Sequence, residues 1–137
     1  MTVTTRVADA SDLPFLAESD RHVSAEVLAE SVSAGRVMVV EVDGAVVGLL
    51  RWGLFWDQIP FMNLLWVLPD RRGHGLGTAL VDAWERSLLA AGHELALTST
   101  MSDERAQHLY RRIGYLDCGA LLLPDEPAEL ILRKSLR

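Results

Sequence analysis

An apolar segment at residues 60–68, PFMNLLWVL, runs without a break into PDRRGHGLGTAL at residues 69–80 and then into a helical repeat. Leu76, Ala79, Leu80, Ala83, Trp84, Leu88 and Ala91 recur at three- and four-residue intervals. They form one face of an amphipathic helix over residues 75–91, which Gly92 closes. The first segment reads as a strand buried on both faces, and a second strand pattern, ELALT at 94–98, follows the helix. Strand, turn, helix and strand in that order call for a right-handed crossover between two parallel strands of one sheet.

The remaining segments fill in that sheet. Ser11 and Asp12 read as an N-cap with Pro14 close behind, opening a helix over about residues 12–20. Ser24 caps a second helix over 24–34, stopped by Gly35. RVMVVEV and AVVGLLRWGLFW flank Asp43-Gly44, a strong hairpin signal, so two antiparallel strands come next. Ser102 and Asp103 read as the cap of a helix whose inner face is Ala106, Leu109, Tyr110 and Ile113, ended by Gly114. Strands at 115–123 and 128–132 close the chain. The order ααβββαβαββ predicts an α/β (α+β) fold, with a mixed, mainly antiparallel sheet, a central parallel strand pair and about four flanking helices.

Composition limits the function. The 137 residues suffice for one domain with a real core, and no linker, repeat or low-complexity stretch divides them. A net charge of −6 argues against a nucleic-acid or anionic-membrane binder, which needs a basic face. The single cysteine, Cys118, excludes an intrachain disulfide, fits a reducing compartment and reads as a small core residue. Neither a signal-peptide pattern nor an apolar run of about 20 residues is present, so a cytoplasmic location is expected. His, Cys and carboxylates do not cluster at ligand spacing, so no metal is expected.

The glycine stretch carries the chemistry. The first N–H groups of a helix lack internal partners, and the helix dipole puts partial positive charge there. Gly73, Gly75 and Gly77 allow positive φ and leave no Cβ in a ligand's way, while Arg71 and Arg72 add charge. A P-loop would need a lysine that is missing, and G-x-G-x-G does not fit the dinucleotide fingerprint. Arg72-Gly73-His74-Gly75-Leu76-Gly77 instead resembles [R/Q]-x-x-G-x-[G/A], the acyl-CoA signature of the GNAT superfamily of N-acyltransferases. The segment from Ala106 to Tyr115 resembles that family's A-x-x-L-Y-x-x-x-G-[FY] pattern, and the element order is similar to the family's over essentially the whole chain, 1–137.

The resemblance implies a single acyltransferase domain that uses acetyl-CoA as co-substrate, without a metal. It implies that the backbone N–H groups of Arg72, Gly73, His74, Gly75, Leu76, Gly77 and Thr78 bind the pyrophosphate. The pantetheine arm would pair like an added strand with Leu65, Trp66 and Val67, where the fourth and fifth strands splay apart. Tyr110 takes the place of the general acid that protonates the leaving thiolate. Asp103 stands where the family often has an asparagine contacting the coenzyme. An N–H of Trp66 or Val67 would stabilise the oxyanion as an amine attacks the thioester.

The acceptor side is less constrained. Asp57 in FWDQIP is the first candidate for the base that deprotonates the amine; Glu104, Glu129, His22 and His108 are others. Asn63 orients a substrate or satisfies a neighbouring backbone group. Trp52, Trp56 and Trp66 fill core and a dimer contact, or a loop with Trp56, Asp57 and Phe61 walls an acceptor pocket beside the acyl site. The expected partners are a small-molecule or peptide amine, with a homodimer allowed and neither nucleic acid nor membrane. The alternative is a non-catalytic acyl-CoA-binding regulatory module, which needs the loop but neither Tyr110 nor a base.

Overall fold

The computed structural model describes residues 1–137, with a seven-stranded sheet in the order β1-β2-β3-β4-β5-β7-β6. Its strands are β1 (Val3–Val7), β2 (Val37–Val42), β3 (Ala45–Phe55), β4 (Ile59–Val67), β5 (Leu95–Met101), β6 (Leu116–Leu121) and β7 (Glu129–Ser135). The helices are α1 (Leu13–Ser19), α2 (Ala25–Ser33), α3 (Leu76–Ala90) and α4 (Ala106–Arg112). β4 and β5 are parallel, whereas β1–β2, β2–β3, β5–β7 and β6–β7 are antiparallel, so the sheet is mixed as expected. No helix is long and apolar enough to cross a membrane. The chain forms two compact units, Met1–Gly53 with Leu64–Trp84, and Leu54–Asn63 with Glu85–Arg137.

In the first unit, Leu16, Leu28, Val37, Val39 and Leu49 form a buried cluster, and Phe15, Leu64 and Trp66 pack against it. The β2–β3 turn has Asp43 at φ 51° and Gly44 at φ 86°, the two left-handed residues that a two-residue hairpin requires. Gly48 sits where an added Cβ would lie 3.0 Å from the Trp66 carbonyl oxygen and 3.2 Å from a Val67 methyl, so only glycine lets the end of β4 approach so closely. The neighbouring Val47 is the extra residue of a β-bulge, and its carbonyl accepts the Leu68 N–H at 2.9 Å. A buried ion pair ties α1 to β3. Arg51 Nε donates to Asp20 Oδ2 at 2.6 Å, and Asp20 Oδ1 accepts the His22 N–H at 3.2 Å.

The second unit holds the hairpin tip between β3 and β4, then β5, α4, β6 and β7. Tyr115 donates to Glu85 Oε2 at 2.9 Å, and Lys134 Nζ donates to Glu85 Oε1 at 2.7 Å. That network joins α3, the start of β6 and β7. Burial beside the Glu85 carboxylate pushes the Tyr115 phenol far up, so it stays protonated and donates.

Four expectations need correction. The order ααβββαβαββ omits β1, whose VTTRV pairs in register with Met38 to Val42; half-exposed threonines obscured the pattern. The 3-10 turn Ala10–Asp12 that precedes α1 is capped by Asp9, not by Ser11 or Asp12. Asp12 is buried, takes a bidentate bond from Arg6 and is held below the usual carboxylate range by it. Ser102 and Asp103 do not cap α4. They lie in a turn, where Glu104 accepts the Met101 N–H and Gln107 Nε2 donates to the carbonyls of Ser102 and Glu104. Cys118 is exposed rather than core, because β6 is the sheet edge and Cys118 is its bulged residue between Asp117 and Gly119.

Replacing Asp20 by alanine strands the Arg51 guanidinium in the interior. An unfolding free energy lower by about 3 kcal/mol is expected in urea titration; a loss within 0.5 kcal/mol, roughly the surface-substitution range, would refute the assignment.

Candidate active site

The loop after β4 is built by backbone conformation. Gly73 and Gly75 have φ of 83° and 76°, values that cost an ordinary L-residue about 1–2 kcal/mol each. A Cβ added at either would meet nothing within 4 Å, so the space beside the loop is open. The Ala79 N–H bonds to the Gly75 carbonyl at 3.0 Å as α3 begins. The N–H groups of Leu76, Gly77 and Thr78 therefore stand at the helix start, where donors lack a preceding turn of carbonyls. Gly73, His74 and Thr78 are exposed and Leu76 is buried, anchoring the loop to its unit.

The two arginines differ. Arg72 folds back: its Nε donates to the Val67 carbonyl at 2.9 Å and its guanidinium lies 5.9 Å from the Trp66 ring centroid. Its N–H makes a long 3.5 Å bond to Pro69. Arg71 instead lines a cavity of about 240 Å³ together with Met1, Val42, Asp70, His74 and Leu76. Leu65 and Trp66 are half-buried and Val67 is nearly buried at the end of β4. The parallel pairing covers only Phe61↔Leu97 and Met62↔Thr98, while the strands themselves continue to Val67 and Met101.

In the second unit, Tyr110 is 5% exposed on the inner face of α4, with its ring edge-on to Tyr115 at 6.0 Å. Burial pushes its phenol up to about 12, opposed by a hydrogen bond with Thr98 and reinforced by the Glu104 carboxylate. Thr98 is buried and also donates to the Met62 carbonyl at 3.1 Å. Asp103 is exposed in the turn before α4. Asp57 is exposed in the β3–β4 turn, where Trp56 and Asp57 both have positive φ, at 55° and 58°. Ile59 to Leu65 alone is six strand steps, about 20 Å of extended chain, so Asp57 lies at the opposite end of β4 from Leu65, Trp66 and Val67.

The other candidates scatter. Glu104 is tied to the Met101 N–H, Glu129 is half-buried in β7, and His22, His108 and Asn63 are exposed. The three tryptophans each take a different partner. Trp52 packs on Trp84 at 6.1 Å, Trp66 on Phe15 at 6.4 Å, and the 75%-exposed Trp56 on Phe55 at 4.7 Å. No group of three His, Cys, Asp or Glu side chains converges. Sequence reasoning missed Gly48 and Thr98. A glycine interrupting the β-branched run AVVGLL was the signal for the first, whereas a threonine in a strand gave none for the second.

Gly48→Val should push Trp66 and Val67 out of line and lower stability by about 1–3 kcal/mol, read by thermal melting. An unchanged melting temperature would mean that β4 does not depend on that close approach.

Residues 5–115 match the acetyltransferase (GNAT) family. Among solved structures, a GNAT-family acetyltransferase from Bacillus cereus ATCC 10987 is similar at 22% identity, with 98% of each chain covered and a TM-score of 0.83. The paia N-acetyltransferase from Thermoplasma acidophilum, in complex with coenzyme A, is similar at 13% identity, 98% and 99% coverage and a TM-score of 0.83. The yncA protein from Salmonella typhimurium, with its cofactor acetyl-CoA, is similar at 18% identity, 100% and 95% coverage and a TM-score of 0.81. These likenesses concern the fold, while the family match spans the glycine loop, α3, β5 and α4 in one continuous stretch. The chain belongs to the acetyltransferase (GNAT) family.

Proposed function

We propose that residues 1–137 act as one domain that transfers an acetyl group from acetyl-CoA directly to a primary amine. The observation that carries this reading is the loop, where two positive-φ glycines and the bare start of α3 offer converging N–H donors to a pyrophosphate. Arg72, Gly73, His74, Gly75, Leu76, Gly77 and Thr78 hold the phosphates, and Leu65, Trp66 and Val67 take the pantetheine arm. The Arg72 clip occupies the Val67 carbonyl, so the arm must pair with other groups of β4. The bound thioester supplies an activated acyl carbon. The amine nitrogen forms the new C–N bond, the C–S bond breaks, and the sulfur leaves with the electron pair.

Tyr110 is proposed as the group that meets the leaving sulfur. A phenol pushed up to about 12 is protonated throughout the neutral range. Full transfer to a thiolate with an ordinary pKa of about 8.5 would be uphill by roughly three powers of ten. Tyr110 thus works by donating a hydrogen bond as negative charge develops, with the proton completing its transfer through solvent. Asp57 is proposed as base, and its place at the start of β4 requires a water relay or an acceptor long enough to span that distance. Asp103 is proposed to border the coenzyme from the turn before α4. The acceptor is a small-molecule or peptide amine, in a cytoplasmic setting, and the reading allows a homodimer without requiring one.

Free-thiol release from acetyl-CoA across a panel of amines tests the proposal. Turnover is expected with at least one amine, and Tyr110→Phe should lower kcat by roughly 10²-fold, the scale of a positioned proton donor. Tight acetyl-CoA binding without turnover on any amine favours the regulatory module instead.

The raised pKa also sets a pH signature. Deprotonation of a lysine-like amine, with a pKa of about 10.4, should carry the rate upward through pH 10. Tyr110 should produce no fall in that range. An alkaline fall centred near 10 that vanishes in Tyr110→Phe would show that the phenol titrates normally.

A further inference from the structure

We infer that Thr98 is a positioning residue for acetyl transfer, whose hydroxyl turns from the Met62 carbonyl to the Tyr110 oxygen and so directs the phenol proton toward the leaving sulfur. The inference rests on the reading of Tyr110 as the donor to that sulfur and deepens it.

Thr98 stands at a fork in the sheet. Met62↔Thr98 is the last parallel pair before β4 and β5 part, and both strands run on beyond it. Thr98 is 1% exposed, and the buried Tyr110 comes from α4, which packs on β5. Met62, Thr98 and Tyr110 all belong to the second unit. A hydroxyl so deeply buried must find its partners within the protein. It has two, the Met62 carbonyl at 3.1 Å and the Tyr110 phenol.

The two partners differ in what they can do. A threonine hydroxyl has one proton and two lone pairs, a carbonyl only accepts, and a phenol does both. While Thr98 donates to Met62, its bond with Tyr110 must have the phenol as donor. That arrangement commits the Tyr110 proton to Thr98 and leaves none for a ligand. Rotation about the Thr98 Cβ–Oγ1 bond gives a second arrangement. The hydroxyl then donates to the phenol oxygen, and the phenol proton must point away from Thr98. The Thr98 proton stays on its own oxygen throughout. Donation into the phenol oxygen also makes the phenol a stronger donor, because hydrogen bonds in series polarise one another. It favours the phenol oxygen as negative charge builds there, which is the sense in which this bond opposes the effect of burial on Tyr110.

Thr98→Val removes the hydroxyl at nearly constant shape, and Thr98→Ser keeps it. Each is made in the native chain and in the Tyr110→Phe background, and free-thiol release from acetyl-CoA is followed with an amine that the native protein turns over. Thr98→Val should lower kcat about three- to tenfold, the scale of one hydrogen bond, with the KM for acetyl-CoA changed less than about twofold. In the Tyr110→Phe background the same change should lower kcat less than about 1.5-fold, because the hydroxyl acts through a phenol that is gone. Thr98→Ser should restore most of the native kcat. A second readout needs no turnover. The chain has two tyrosines, so labelling their ¹³Cζ atoms gives two NMR signals, which Tyr110→Phe assigns. Thr98→Val should move the Tyr110 signal and leave that of Tyr115, and Thr98→Ser should bring it back. An equal loss of kcat in both backgrounds, no loss in either, or an unmoved Tyr110 signal in Thr98→Val overturns the inference while leaving the reading of Tyr110 intact. Undiminished turnover in Tyr110→Phe, or no turnover by the native protein on any amine, overturns that reading and the inference with it.

Discussion

The chain must leave β4 and enter α3 through two residues with positive φ, and the rest of the site depends on that turn. Gly73 and Gly75 supply those conformations without the strain of a Cβ. Once the turn is made, the opening N–H groups of α3 cannot bond within the helix and point outward at the exit of β4. A row of unpaired donors beside open space thus follows from helix geometry and two missing Cβ atoms.

Several features hold this turn in place. Arg72 bonds back to the Val67 carbonyl, which fixes the loop to the strand it follows. A Cβ added at Gly48 would stand 3.0 Å from the Trp66 carbonyl oxygen, so glycine there lets β3 and the end of β4 approach closely, and the Val47 bulge offers a carbonyl to Leu68. The buried Asp20–Arg51 pair fixes α1 to β3. Such a pair adds little net stability over an apolar replacement, but losing one partner is expensive, so it favours a single arrangement of the chain around it. The same division appears in the second unit, where Glu85 accepts from both Tyr115 and Lys134 and holds the residues beside Tyr110.

Much of this was legible because the signals were local. Asp43-Gly44, Gly35, Gly92 and Gly114 mark turns and helix ends through positive φ, a property of the residue itself. The 3.6-residue period over α3 and the glycine loop ahead of it survive any tertiary context. The errors fell where a partner decides the outcome. The VTTRV strand exists because β2 offers it a ladder, and its own alternation is weak. Ser102 and Asp103 look like caps, yet Glu104 and Gln107 organise that turn through side-chain bonds that no propensity encodes. Cys118 sits among apolar neighbours in sequence and is exposed because its strand is the last in the sheet.

By itself the sequence determined the mixed sheet, the β4–loop–α3 unit, the bare glycine start of α3 and Tyr110 on the inner face of α4. Each rests on backbone geometry or helical periodicity, which a linear chain carries locally. Only the tertiary structure decided that Arg72 is a clip and Arg71 lines a cavity. It also decided that burial raises the Tyr110 phenol against the opposing hydrogen bond with Thr98. These depend on distances between residues remote in the chain or on the direction of one side chain, and the order of amino acids specifies neither without the packing around them.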